Sequence, residues 1–319
     1  MPWMIGIDEA GYGPNLGPLV MTSVACKLPA DLDETDLWRV LRAAVRRVGD
    51  RADGRLLIAD SKQVYSTARG LAGLELGALT ALPPGRDIAR LSCYLDCVSP
   101  GACEELSNEP WFRGATELPV AIERDALEES CKHLTAACRA QGIRWAVPRS
   151  LVVCPTRFND MLARWDTKGA VLGAGLVELL RLNQDPDHED DSVHYFVDKH
   201  GGRNHYSALV QHALDDGFVL AREERAAQSV YDVLHLRRPV RATFAPRADG
   251  SYLVVALASM LSKYLREVLM LEFNRFWSEH VPGLKPTAGY PMDARRFYTD
   301  IKPAAARLGI LDHALWRNK

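Results

Sequence analysis

Four acidic residues stand where metal-assisted phosphoryl chemistry would need them. Asp8 and Glu9 close the short apolar run "PWMIGID", and two adjacent charges at the end of a buried strand are costly without a partner. A cation is one obvious partner. Asp198 closes "VHYFVD" in the same way, and Asp249 precedes the long apolar stretch in "RADGSYLVVALASMLSK". Each aspartate alone is a common cap or turn residue. Four acids at the edges of one mixed sheet could hold two divalent cations about 4 Å apart, the arrangement used for in-line phosphoryl transfer. Hard oxygen ligands suit Mg2+ or Mn2+ rather than zinc. Neighbouring strand residues point to opposite faces, so Asp8 and Glu9 share a site only if the chain begins to turn at Glu9.

The glycines in "GIDEAGYGPNLGPLV" admit a second interpretation, a nucleotide-binding loop. A dinucleotide fingerprint needs a strand, then G-x-G-x-x-G, then a helix whose N-terminus faces the phosphates. Here the spacing is G-x-G-x-x-x-G, two prolines flank its second half, and a strand follows. No Gly-Lys-Ser/Thr phosphate loop occurs either. A plain tight hairpin turn remains open for the glycines, but it leaves the acidic pair unexplained without a cation.

The elements that must carry these acids read as one mixed α/β sheet with a helical C-terminal segment. "PWMIGID" and "GPLVMTSVACKL" predict a strand hairpin, residues 33–48 an amphipathic helix, and "RLLIADSK" a strand edge entering a loop. Residues 99–119 read as a surface insertion and 120–141 as helix. "IRWAVPRSLVVC" reads as a strand, and residues 156–182 as helix with a small-residue run, "GAVLGAG", for close packing. "QDPDHEDD" reads as an acidic turn, "SVHYFVD" as a strand and "NHYSALVQHALDDG" as a helix. Two strand-like stretches then lead to the longest helical run, and a last helix covers about 293–308.

The composition, 47% hydrophobic and 25% charged over 319 residues, is ordinary for a soluble globular protein. No apolar run is long enough to span a membrane, and the opening residues lack the pattern of a signal peptide. Seven cysteines without a CxxC pair imply a reduced, cytoplasmic setting. The net charge is −2, but Arg237–Lys319 carries +7 and the remainder −9, compatible with a phosphate-bearing partner. His188, His194 and His200 are evenly spaced by six, which fits no helical zinc pair, and they read as surface or supporting residues.

Four segments, in order, resemble the type 2 ribonucleases H, ribonuclease HII and its relative HIII. "GIDEAGYGPNLGPLV" is similar to the opening Asp-Glu-x-Gly-Arg-Gly motif, "ADSK" to an Asp-Ser-Lys loop, and "FVDKHGG" to the strand bearing the third acid. "ADGSYLVVALASMLSKYLRE" resembles the segment that begins at the fourth. "GYPMD" matches Gly-Tyr-Pro-Thr, and "WRN" faintly matches a basic end motif. The resemblance implies an RNase H-like fold over residues 1–270, with an insertion at about 83–145, and a helical segment over 271–319. It implies two-metal hydrolysis, with Mg2+ or Mn2+, of RNA in RNA–DNA hybrids or of ribonucleotides embedded in duplex DNA, leaving 5′-phosphate and 3′-hydroxyl ends. It further implies that Asp8, Glu9, Asp198 and Asp249 are the catalytic, metal-binding acids. Gly11, Tyr12 and Gly13 would face the ribose 2′-hydroxyl, the group that separates RNA from DNA. Tyr290 would pack on the neighbouring sugar, Lys62 and Lys263 would lie by the phosphates, and the protein would act as a monomer.

The motif departs from the family where it would meet substrate. Tyr12 replaces an Arg or Lys, Thr287-Ala288 replaces a His-Lys pair, and Lys199 replaces a Gly. Losing a charge-assisted hydrogen bond removes about 1.5–3 kcal/mol of binding, whereas a stacking tyrosine returns roughly 1–3 kcal/mol per base. Two other functions stay open: a divergent relative that binds hybrids or structured nucleic acid without efficient cleavage, and a metal-dependent nuclease or phosphoesterase for another substrate.

Overall fold

The structure, a computed structural model, describes residues 2–30, 32, 36–66, 68–86, 88–183 and 191–318. Strands β1 (Trp3–Ala10) and β2 (Leu19–Lys27) form the expected antiparallel hairpin. There follow α1 (Leu37–Val40), β3 (Val45–Arg46), β4 (Leu56–Leu57), α2 (Ser61–Val64) and α3 (Ala72–Thr80), then α4 (Leu91–Val98), α5 (Ala102–Leu106) and α6 (Arg124–Ala140). The strands β5 (Arg144–Trp145) and β6 (Arg149–Val153) both pair with β2. Helices α7 (Pro155–Trp165) and α8 (Lys168–Leu182) lead to β7 (Val193–Asp198), and α9 (Ser207–Ala213) leads to β8 (Phe218–Glu224), β9 (Ser229–Leu234) and β10 (Val240–Ala245). The chain ends in α10 (Leu253–His280), α11 (Pro291–Leu308) and α12 (Asp312–Leu315).

Eight strands make one mixed sheet in the order β5-β2-β1-β7-β10-β9-β8, with β6 beside β2. The three central strands β1, β7 and β10 run parallel, so their C-terminal ends, which carry the acids, meet at one edge. Alternation divides β1 between two cores. Met4 joins the core under α10, whereas Trp3, Ile5 and Ile7 join the core under α8 and α9. Gly6 belongs to the α10 side, where a Cβ would lie 2.3 Å from the Val254 carbonyl carbon. The missing side chain lets the start of α10 press directly on the strand.

Several expectations are corrected. Residues 36–48 hold only the four-residue α1, followed by turns and β3. Residues 33–35, His188 and nearly all of the acidic turn lie outside the described residues. The helix expected over 156–182 is two, broken at Asp166, whose φ of 65° is left-handed. Three strands stand where two stretches were expected between α9 and α10. Residue 270 lies inside the continuous α10. A third core, with Phe273, Trp277, Phe297 and Ile301, joins this helix to α11 and also takes in Leu16 and Trp111.

The insertion is anchored rather than loose. Buried Glu272 of α10 accepts hydrogen bonds from the Arg113, Gly114 and Thr116 amides and the Thr116 hydroxyl. Glu75 of α3, fully buried, accepts from the amides of Val120, Ala121 and Ile122 and from the Tyr264 hydroxyl. Gly175, in the small-residue run of α8, would bring a Cβ to 2.4 Å from the Met21 sulfur, so that run does set close packing on the sheet. Among the described residues, no helix is long and apolar enough to cross a membrane.

Candidate active site

Asp8 follows Met4 and Gly6 on the α10 face of β1, and the residue is 6% exposed. Its Oδ1 accepts from the Glu9 amide at 2.7 Å, and its carbonyl accepts from the Ser262 hydroxyl at 3.1 Å. Ser259, one turn earlier on α10, donates to Ser61 at 3.0 Å and ties the "ADSK" loop to the same place. Asp198 ends β7, beside β1, and its Oδ1 accepts from the Ala248 amide at 2.8 Å. That amide opens the 3-10 turn Ala248–Gly250 bearing buried Asp249. Two parallel strands, the turn after β10 and the loop before α2 thus deliver their polar residues to one end of the sheet.

The electrostatics show how near these groups are. Burial raises the pKa of Asp8 well above the usual carboxylate range, and the charges of Glu9 and Asp198 raise it further. Glu9 is pushed to about 7 by burial and then by Asp198, and Asp249 to about 6 by burial, Asp60 and Asp198. Asp198 is raised by burial and, to a smaller degree, by Asp60. Lys62 acts in the opposite sense on Glu9, Asp198 and Asp249. Buried carboxyls that all lie within reach of the Asp198 charge make a site short of positive charge.

Strand β1 continues to Ala10, so the chain does not turn at Glu9; the Asp8 and Glu9 side chains nevertheless act on each other directly, as neighbours at one end of the strand. Glu9 is directed to the side of Tyr206, whose hydroxyl both Glu9 and Asp198 influence. Among the described residues, no group of three or more His, Cys, Asp or Glu side chains is arranged to hold a metal ion. The donor chemistry nevertheless suits a hard divalent cation: every candidate ligand is a carboxyl oxygen, and protonation is otherwise their relief from repulsion.

The glycine loop lies beside this cluster and is gripped from within. Gly11 has φ +91°, and a Cβ there would lie 2.5 Å from the Pro18 carbonyl oxygen and 2.7 Å from Arg266 Nε. Arg266, fully buried, donates to the carbonyls of Leu16 at 3.3 Å and Ala288 at 2.8 Å. Arg317, also fully buried, donates to the Gly11 carbonyl at 2.6 Å and to that of Pro14. The Gly289 carbonyl accepts from the amides of Asn15 and Leu16, which joins the "GYP" turn to the loop. Tyr12 and Gly13 are exposed on the outer side.

The remaining expected residues are dispersed around this edge. Tyr290 is half exposed before α11, with the Arg266 guanidinium 6.0 Å from its ring. Lys62 is exposed in α2, whose start Asp60 caps through the Lys62 amide at 2.9 Å. Lys263 does not reach outward: it pairs with Glu267 at 2.6 Å and sits 4.9 Å over the Tyr65 ring. Lys199 turns away toward Asn204 and the carbonyl of Arg225. Thr287 accepts from the Gly289 amide and bonds Asp293, shaping the turn. His194 bonds Thr243 and lies against Phe196, and buried His200 is held near 4 by burial and the Arg203 charge. Sequence reasoning missed Asp60, Ser259, Ser262, Arg266, Arg317 and Tyr65. Asp60 stood inside a quoted motif, where its capping role masked it.

No family model and no curated protein matches the chain. Among solved structures it is similar to a chain from the complex of PCNA with ribonuclease HII of Archaeoglobus fulgidus. That match has 18% identity, covers 99% of this chain and 94% of that one, and has a TM-score of 0.42. It is also similar to ribonuclease H2 of Pyrococcus horikoshii (15% identity, 98% and 92% covered, TM-score 0.44). A third is ribonuclease H3 of Aquifex aeolicus (11% identity, 98% and 71% covered, TM-score 0.40). At these TM-scores the likenesses do not decide what the chain is or does.

Proposed function

We propose that this protein is a divalent-cation-dependent endoribonuclease that cuts RNA in RNA–DNA hybrids or at ribonucleotides embedded in duplex DNA. The observation that supports this most is the gathering of Asp8, Glu9, Asp198 and Asp249 at one end of the parallel strands, where burial raises all four and the Asp198 charge further raises the other three, next to a loop whose outer residues Tyr12 and Gly13 are exposed. These four carboxyls are the groups that would hold Mg2+ or Mn2+. A bound cation supplies positive charge that offsets their repulsion, acidifies a water and stabilises the leaving 3′-oxygen. The backbone of Gly11–Gly13 is assigned to the ribose 2′-hydroxyl and the Tyr290 ring to the adjoining sugar. Tyr12 is assigned to stacking on a base or sugar, and exposed Lys62 to a phosphate. Lys263, engaged with Glu267, supports the site from behind instead of meeting the phosphates.

The test is incubation with Mg2+ or Mn2+ and three labelled duplexes: an RNA–DNA hybrid, DNA with one embedded ribonucleotide, and all-DNA. Cleavage of a ribonucleotide-bearing duplex to 5′-phosphate and 3′-hydroxyl ends, abolished by Asp8→Asn, is the expected result. Hybrid binding with no cleavage of any duplex would replace the enzyme with a binding protein.

A further inference from the structure

The 311–318 segment is strapped to the body at two levels. Asn159 of α7 donates to the carbonyls of His313 at 2.9 Å and Trp316 at 2.8 Å and accepts from the Asn318 amide at 2.8 Å. The segment then pairs with the glycine loop. The Arg317 amide donates to the Asn15 carbonyl at 2.8 Å, the Asn15 side chain donates back to the Arg317 carbonyl at 3.2 Å, and Leu16 and Trp316 form an antiparallel bridge. The Arg317 guanidinium, 4.7 Å over the Phe158 ring, takes the carbonyls of Gly11 and Pro14. Its Nε and Nη1 have no partner among the described residues. A buried cation with idle donors is costly, and here it lies close enough to Arg266 to be repelled by it.

This arrangement has a directional consequence. In a trans peptide the carbonyl and the following N–H point opposite ways. Drawing the Gly11 carbonyl inward therefore turns the Tyr12 N–H outward, toward the open side of the loop.

We propose that Arg317 is a positioning residue: through the Gly11–Tyr12 peptide it aims a backbone donor at the sugar or phosphate of a bound nucleotide. Its activity arm rests on the nuclease reading above; its structural arm does not.

The experiment compares the full chain with Arg317→Ala and Arg317→Lys. Amide hydrogen exchange in residues 11–17 should be at least about tenfold faster in Arg317→Ala, with β7 and α8 unchanged. Guanidinium ion, far below denaturing concentrations, should restore the protection. On the hybrid, kcat should fall by about 10²-fold, the effect of a displacement near 1 Å, with KM little changed. Arg317→Lys should be intermediate, and guanidinium should raise kcat only in Arg317→Ala. Unchanged loop exchange in a folded Arg317→Ala, or faster exchange throughout, overturns the proposal; if that variant does not fold, Arg317→Lys decides by the same readings. A wild-type chain that cuts nothing sinks the nuclease reading alone, and the exchange arm still judges the clamp.

Discussion

Replacing Glu9 by Gln should stabilise the protein while removing its activity. The Glu9 carboxyl has a pKa of about 7 in the fold against 4.5 in the free state, raised first by burial and then by the Asp198 charge. For an acid raised in the native state, the unfolded chain gives up its proton first as pH rises. The group therefore does not penalise the fold below about pH 4.5, and its penalty grows until pH passes 7. Above pH 7 the ionised carboxyl lowers folding stability by about 3 kcal/mol. With roughly 2.1 cal/mol/K of unfolding entropy per residue, a chain of 319 residues should show a melting temperature about 4–5 °C higher in Glu9→Gln at pH 8 with chelator present. At pH 4.5 the two should nearly coincide, because Glu9 then carries its proton in the native state. Mg2+ or Mn2+ should narrow the gap at pH 8 by stabilising the wild type selectively. A Glu9→Gln protein that melts at or below the wild-type temperature at pH 8 in chelator would refute the reasoning, since Glu9 would then be neither crowded nor desolvated.

Glu272→Ala should destabilise by at least about 3 kcal/mol, because the buried Gly114 and Thr116 amides and the Thr116 hydroxyl lose this acceptor, at about 1–3 kcal/mol each. Urea unfolding measures it, and limited proteolysis should now cut between residues 111 and 122. Tyr12→Arg should tighten hybrid binding and steepen the salt dependence by about one counterion; an unchanged slope would mean that residue 12 does not approach a phosphate.

What was legible in the sequence followed from local rules. Apolar runs ended by Asp8 and Asp198 located two central strands, and the length of the run after Asp249 located α10. The 33–48 spacing misled because a helix and a set of turns around buried Leu37, Trp38 and Leu41 place apolar residues alike. Asp166 split the following helix through a left-handed backbone that sequence patterns do not advertise. The site was legible in its acids and obscure in its supports. Arg266 and Arg317 contribute to the basic excess after residue 237, yet both are buried on carbonyls 250 and 306 residues away. The uneven charge was thus in part internal scaffolding.

The bond from Arg317 to Gly11 spans 306 residues, which bears on when the loop can mature during synthesis. A ribosome adding about 5–20 residues per second makes β1 and its glycines roughly 15–60 s before Arg317. Asp249 is made only about 3–14 s before Arg317, and over that last stretch the acids can lie side by side while the loop next to them lacks the Arg317 grip. Nascent chains released just short of residue 317 should therefore hold the sheet and the crowded carboxyls, but not a set substrate edge.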